Sequence, residues 1–373
     1  MLIYIGSTAG GEGISAFRTH ADGSLSPVGV PTPLPSPTFL IEHPGLPVLY
    51  AVNTLPDGAV SAMGVDDAGV RSVFSRQSSG GSTPLHAAVT ADGRHLICAN
   101  AGEEGTLALL PLRADGSLEP PIHVVRPSHD KPAFTHHVSI EGDLVAVACL
   151  GLGELRGYRL ARHGRLVPTW TARARHPKAG PRHVVRHPEG HWYVSDELDA
   201  TVSTYEPVAS PGEGVRFARS VPARAPGTAA PASSHLSEIA ISADGRYVYA
   251  ANRGPDTIAV FCVERGTLTC VGEAPTGGVF PRHLALSGSR IYVANERSDT
   301  SRCCRSIRPP ACSALRGSSP WSRSRRACSC AGGTSRTGSR SASPQQLRLG
   351  KVRCRTAPTR VRSNHSRRVR VRI

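Results

Sequence analysis

Residues 180–197 read GPRHVVRHPEGHWYVSDE. An Arg-His pair precedes a short apolar run, a Pro-Glu-Gly turn follows, and a second apolar run closes on Asp196 and Glu197. Residues 280–296, FPRHLALSGSRIYVANE, repeat the plan with the charged residues in place. Apolar runs joined by Asp-Gly or Glu-Gly are hairpin chemistry, because Gly accepts the positive φ that the tight turn requires. A pattern that returns with its charges belongs to a repeat.

The repeat extends through most of the chain. Runs ending in a small or polar residue finish at Asn53, Asn100, Cys149, Asp196, Asn252 and Asn295, and the opening LIYIGS fits the same slot. Before most of them lies a run such as HAAVTADGR, HVVRHPEGH or EIAISADGR, and after them a third strand such as GTLALLPL or TIAVFCV. Equivalent starting positions are Phe39, His86, His137, His183, Glu238 and His283, spaced 47, 51, 46, 55 and 45 residues apart. A period of that length, filled by about four short antiparallel strands and no amphipathic helical window, predicts a propeller blade. Seven slots predict an all-β, seven-bladed β-propeller over residues 1–300.

Composition divides at the same boundary. Residues 301–373 hold 18 Arg, one Lys and no acidic residue, leaving 25 of the 44 basic residues against all 28 acidic ones in residues 1–300. The pI near 10 therefore belongs to the tail. The tail also holds six of the ten Cys. Cys98, Cys149, Cys262 and Cys270 lie in strand-like runs without metal-type spacing and read as buried free thiols of a reducing compartment. The opening residues are too short and uncharged for a signal peptide, and no apolar run reaches membrane length. A cytoplasmic protein without a membrane partner is the expectation.

Propellers whose chain begins in a second strand are closed by a C-terminal strand that removes an open sheet edge. From Ser301 the alternation stops, apart from a final RVRVRI. The Arg-, Ser-, Cys- and Pro-rich text is what GC-rich codons yield out of frame. One permitted codon choice for residues 301–316, read from its third base, gives ALLPVDPATGLLGAA, which is strand, turn and strand. A frameshift near residue 300 is therefore expected to have replaced the end of blade seven and the closing strand. The last blade would be incomplete, the tail disordered, and one sheet edge open in each of blades one and seven. An Arg-rich arm for nucleic acid is the rival reading, but the tail has one aromatic residue, Trp321, and almost no Lys, so no specific nucleic-acid partner is expected. Cys303-Cys304 and the Cys328–Cys330 pair lack a second pair at finger-like spacing, so no metal site is expected.

The candidate site follows from the repeat. The start of each inner strand and the end of the next should lie at one mouth of the central channel. That brings together Arg182, His183 and Glu197, His137 from the preceding blade, Glu238 and Arg253 from the next, and Arg282, His283 and Glu296 from the last. His86, His183 and His283 share one slot, as packing residues do. Arg182, Arg253 and Glu197 depart from the repeat's own consensus and are the stronger functional candidates.

The motifs PLHAAVTADGRHLICAN, GPRHVVRHPEGHWYVSDE, SEIAISADGRYVYAANRGPDTIAVF and FPRHLALSGSRIYVANERSDT together resemble the lactonase family of seven-bladed propellers, the 6-phosphogluconolactonase and carboxymuconate-lactonising type. The resemblance spans residues 2–300. It implies opening of a small sugar lactone by water, most directly 6-phosphogluconolactone to 6-phosphogluconate in the pentose phosphate pathway, without cofactor. It places the catalytic residues on His137, Arg182, Glu197 and Arg253, with His183, Glu238, Arg282, His283 and Glu296 as substrate contacts. The family often carries His-x-His where this chain has Thr135, His136 and His137, and the usual Asp before Leu-Gly is absent at Cys149. Water needs a base, which Glu197 or His137 would supply, and the oxyanion needs fixed positive charge from Arg182 or Arg253. A non-catalytic propeller scaffold, a muconate-type lactonising enzyme and an inactive copy remain the alternatives.

Overall fold

In the computed structural model of the chain, the described residues are 1–298, except 9, 10, 12, 209–213, 230 and 232, together with the backbone of Val371–Arg372. They form six four-stranded sheets and one two-stranded sheet. Blade two is typical: Pro37–Glu42, Val48–Asn53, Ala59–Asp66 and Gly69–Ser78 follow one another from the innermost strand outward, each antiparallel to the last. Blades three to six, which begin at Pro84, Thr135, Pro181 and His235, repeat this order. Blade seven contributes Pro281–Ser287 and Arg290–Asn295. The expected continuation of that blade, like the expected frameshifted and disordered tail, falls outside the described residues.

Apolar side chains alternate along each strand and fill the layers between neighbouring sheets, as the period-two pattern requires. Tyr50, Leu96 and Leu110 are among those packed between blades two and three. Phe261, Val248 and Tyr193 belong to the layer between blades five and six. Seven such layers exist, one for each neighbouring pair of seven blades. Among the described residues, Ile3 and Tyr292 are the fully buried hydrophobic residues between blades seven and one. Cys98, Cys149 and Cys270 are free and buried, but Cys262 is disulfide-bonded, contrary to the free thiol expected from its strand.

The expectation of an open edge in blade one needs correction. Val371–Arg372, from the final RVRVRI, pairs with Leu2–Gly6 through Ile3↔Val371 and Tyr4↔Arg372. That pairing is parallel, whereas every other inner strand is antiparallel to its neighbour. The alternating Val residues supply enough strand character to meet the edge, although the closing strand runs in the opposite sense to its counterparts.

A further device recurs at the head of each inner strand. Pro181 pairs with Asp196 and His183 with Ser195, leaving Arg182 as a bulge. The same shift leaves Thr38, Leu85, His136 and Arg282 unpaired, and in blade six sets Ser237 and Glu238 against one partner. Ser36, Thr83, Phe134, Gly180 and Phe280, each immediately before an inner strand, have positive φ between 44° and 72°. For the non-glycine residues this costs of order 1 kcal/mol each. The strained entry and the bulge together re-aim the next two side chains.

The second strands end in a structural clip. Asn53, Asn100 and Asn252 donate their side-chain amides to the carbonyls of Pro35, Ser79 and Ala223, at 2.7, 2.9 and 2.6 Å. Asp196 holds this slot in blade five. Its Oδ2 accepts from Thr201 at 3.2 Å and from Ser203, while its buried Oδ1 has no hydrogen-bond partner. Burial pushes its pKa up from 3.8 to about 7. Between those values the folded chain holds a proton that the unfolded chain has released, so this group's contribution to stability falls as pH rises through the window and is fully lost above about 7. Asp196→Asn should therefore raise the unfolding free energy by about 3–4 kcal/mol at pH 8 and by little at pH 4. Chemical denaturation of both proteins at the two pH values checks this, and a pH-independent difference would refute it.

Candidate active site

Antiparallel pairing brings the start of each inner strand and the end of its neighbour to one mouth of the channel, where two layers of side chains meet. The deeper layer is the repeat's shared slot. Phe39 and His86 rings lie 4.0 Å apart, His86 and His137 3.9 Å, and His137 and His183 4.6 Å. His183 Nδ1 lies 2.9 Å from Glu238 Oε1, and His283 Nδ1 approaches Glu238 Oε2. The Phe39 and His283 rings, 5.5 Å apart, close the circuit past blade one.

Burial holds the His86 and His137 imidazoles well below the usual histidine range, and His183 is pushed down to about 4 by the same cause. They are neutral near pH 7. Burial alone would raise the Glu238 carboxyl, but its two histidine partners hold it well below the carboxylate range. The geometry fits an ionised Glu238 whose Oε1 accepts from His183 Nδ1–H at 2.9 Å and from the Ile239 amide at 3.1 Å, while His283 Nδ1 approaches Oε2 without the alignment of a hydrogen bond.

The upper layer is built from the bulge residues and from the residue that ends or follows each second strand. Arg182 is a bulge residue, Glu197 follows its strand and Arg253 is the last residue of its own. Glu197 Oε2 lies 2.9 Å from Arg182 Nε, and its Oε1 lies 2.8 Å from Arg253 Nη2. Arg253 also donates to the carbonyls of Leu236 at 2.9 Å and His235 at 3.3 Å, and its guanidinium lies 5.2 Å from the Phe280 ring centre. Arg182 is less committed: Nη1 has no hydrogen-bond partner, and Nε is near Glu197 without the alignment of a hydrogen bond. Burial weakens the hold of Arg182 on its proton and Glu197 counters it; a guanidinium so paired stays charged. Burial would raise Glu197, yet Arg182 and Arg253 together keep it below the carboxylate range. Arg282 and Glu296, 3.2 Å apart and partly exposed, complete this layer.

Sequence reasoning set these residues together at one mouth; the structure divides them, with Arg182, Glu197, Arg253, Arg282 and Glu296 in the upper layer and His183, Glu238 and His283 in the deeper one. His137 lies between the rings of His86 and His183, in the deeper layer. His136, missed as a site residue, occupies the bulge slot that holds Arg182 and Arg282 in other blades. It is buried, its Nδ1 has no partner, and burial reinforced by the charge of Arg182 keeps it well below the usual histidine range. Comparing Thr135–His137 with Pro181–His183 position by position was the signal available for it.

Among the described residues, one further group has metal-like spacing: His187, Glu189 and His191, on the hairpin at the far end of blade five. His187 there does what His43 does in blade two. Nε2 of each reaches the carbonyl of a turn glycine in the next blade, Gly245 or Gly93, at 3.1 Å, and Nδ1 accepts backbone amides of its own turn. Both ring nitrogens are already used, Nε2 to couple blades and Nδ1 to hold its own turn.

Removing one partner of a buried charge array leaves the others uncompensated. Glu197→Gln should lower the unfolding free energy by about 3 kcal/mol, and adding Arg182→Met should recover part of that loss. Denaturant titrations of the single and double variants check this; a double variant less stable than the single would refute the coupling.

Comparison with known proteins identifies the family of the fold. A 6-phosphogluconolactonase of Bacillus subtilis is 29% identical over 315 residues, covering 80% of this chain and 88% of its own. A second, from Formosa agariphila, is 28% identical over 286 residues, covering 70% and 79%. The structure of a periplasmic gluconolactonase of Pseudomonas aeruginosa superposes with a TM-score of 0.70 at 26% identity, over 82% of this chain and 94% of its own. Residues 2–305 match the family described as lactonase, 7-bladed beta-propeller. Six four-stranded sheets and the two described strands of a seventh accord with that match, and the chain belongs to the lactonase family of seven-bladed β-propellers.

Proposed function

We propose that this protein hydrolyses a sugar lactone, most directly 6-phosphogluconolactone to 6-phosphogluconate. The observation that carries the mechanism is a neutral His136, its Nδ1 without a hydrogen-bond partner, in the same layer as the Arg182–Glu197–Arg253 array. Water attacks the lactone carbonyl carbon while His136 accepts its proton. The carbonyl oxygen becomes an oxyanion, which the spare N–H groups of Arg182 stabilise. The ring C–O bond then breaks, and the departing oxygen takes the proton back from His136. A hydroxy acid is the product, ionised near neutral pH.

Glu197 is the counterion in this scheme and not the base. Both of its oxygens face guanidinium groups, which stabilise the carboxylate and weaken its pull on a proton. Its work is to hold Arg182 and Arg253 in place. Partial exposure of the Glu197, Arg282 and Glu296 side chains, at 20%, 31% and 23%, marks where this layer opens to substrate.

His136→Gln and Arg182→Ala should each lower kcat/KM for 6-phosphogluconolactone by roughly 10²-fold, after spontaneous hydrolysis is subtracted. Unchanged rates in both variants would overturn the reading. The base acts in its deprotonated form, and its pKa lies below 6.5. The wild-type rate should therefore keep its plateau as pH falls through 6.5 and decline only in more acid solution. An acid limb centred at or above pH 6.5 would remove His136 from the role.

A further inference from the structure

Beside the charged layer, between blades five and six, lies a cavity of about 450 Å³. Its wall starts at Leu198, one residue beyond Glu197, and includes Pro255, two residues beyond Arg253. It also includes Asp199, Arg224, Ser234 and Glu273. Of the two acids, Asp199 has its Oδ2 2.8 Å from His176 Nε2 without the alignment of a hydrogen bond, whereas Glu273 is fully engaged. Glu273 accepts from the Ala225 amide at 2.8 Å, from Thr257 at 2.7 Å and from Asn252 at 3.3 Å. Arg224 has neither a hydrogen-bond nor an ion-pair partner among the described residues, and the Ser234 hydroxyl is likewise unengaged.

A partly buried guanidinium without a carboxylate, beside a free hydroxyl, offers N–H and O–H donors to an anion. The lining flanks Glu197 and Arg253 in sequence and includes neither, so the anion it suits is one at the far end of the substrate from the lactone carbonyl. We infer that this cavity seats a phosphate monoester carried by the lactone, with Arg224 as the residue that distinguishes phosphorylated from unphosphorylated substrate. The inference rests on the lactonase reading for its substrate, but its structural basis, an uncommitted cation in a formed cavity, is independent of His136 and Arg182.

The experiment compares wild type, Arg224→Ala and Arg224→Lys in the full-length chain, using 6-phosphogluconolactone and unphosphorylated glucono-δ-lactone. Arg224→Ala should raise KM for the phosphorylated lactone roughly 10-fold or more, with kcat within about twofold, the loss expected for a charge-assisted contact. KM for the unphosphorylated lactone should not move, and Arg224→Lys should restore part of the affinity. An equal rise for both lactones, or no rise for the phosphorylated one, overturns the inference. If wild type hydrolyses neither lactone, the catalytic reading fails by itself. Calorimetric titration with 6-phosphogluconate still decides the subsite: binding to wild type that is lost in Arg224→Ala supports it, and equal or absent binding in both overturns it.

Discussion

Two residues set against one at the head of an inner strand is the constraint on which the channel depends. In a regular strand, neighbouring side chains point to opposite faces, so Arg182 and His183 could not both be directed to the mouth. The bulge removes that limit, and the positive φ of the preceding residue directs the chain into it. One side chain of each pair joins the deep ring, and the other joins the layer above. The polar floor and the charged rim are consequences of a backbone irregularity repeated in six blades.

The two layers handle burial differently. The floor keeps most of its nitrogen bases uncharged and concentrates negative charge on Glu238, whose Oε1 accepts from His183 and the Ile239 amide. The rim instead keeps its charges and pairs them, because a guanidinium cannot shed its proton to escape a poor environment. Arg253 is tied to backbone carbonyls as well as to Glu197, whereas Arg182 is held mainly by the carboxylate. The difference leaves one cation anchored and the other with N–H groups to spare. Charge is also uneven around the mouth. Blades five to seven place Arg182, Glu197, Arg253, Arg282 and Glu296 there, while blades two and three place Thr38, Thr54, Leu85 and Ala101 in the equivalent positions.

Much of this was legible in the sequence because the repeat carries its own internal control. Phe39, His86, His137, His183, Glu238 and His283 were aligned by period alone, and they do form one ring. Glu197 and Arg253 stood out because the corresponding residues in other blades are bland. His136 was passed over because its neighbour His137 filled the recognised slot, and only the register of the bulge separates their roles. The uncommitted state of Arg224 depends on where Glu273 and Asp199 turn, which follows from packing rather than from spacing. The pairing of Val371–Arg372 with Leu2–Gly6 was hidden for another reason: strands with the right alternation are easy to see, but their direction and partner are not encoded locally.

Because a bulge residue stands outside the ladder's pairing, its identity is nearly free of the backbone's demands. Thr38, Leu85, His136, Arg182, Ser237 and Arg282 share one position in six blades with no common chemistry among them. The architecture behaves like a lock with interchangeable pins, in which a single codon per blade resets what the mouth recognises while the barrel of the lock stays as it was. New specificities in such a scaffold are reachable by substitutions that the fold scarcely registers.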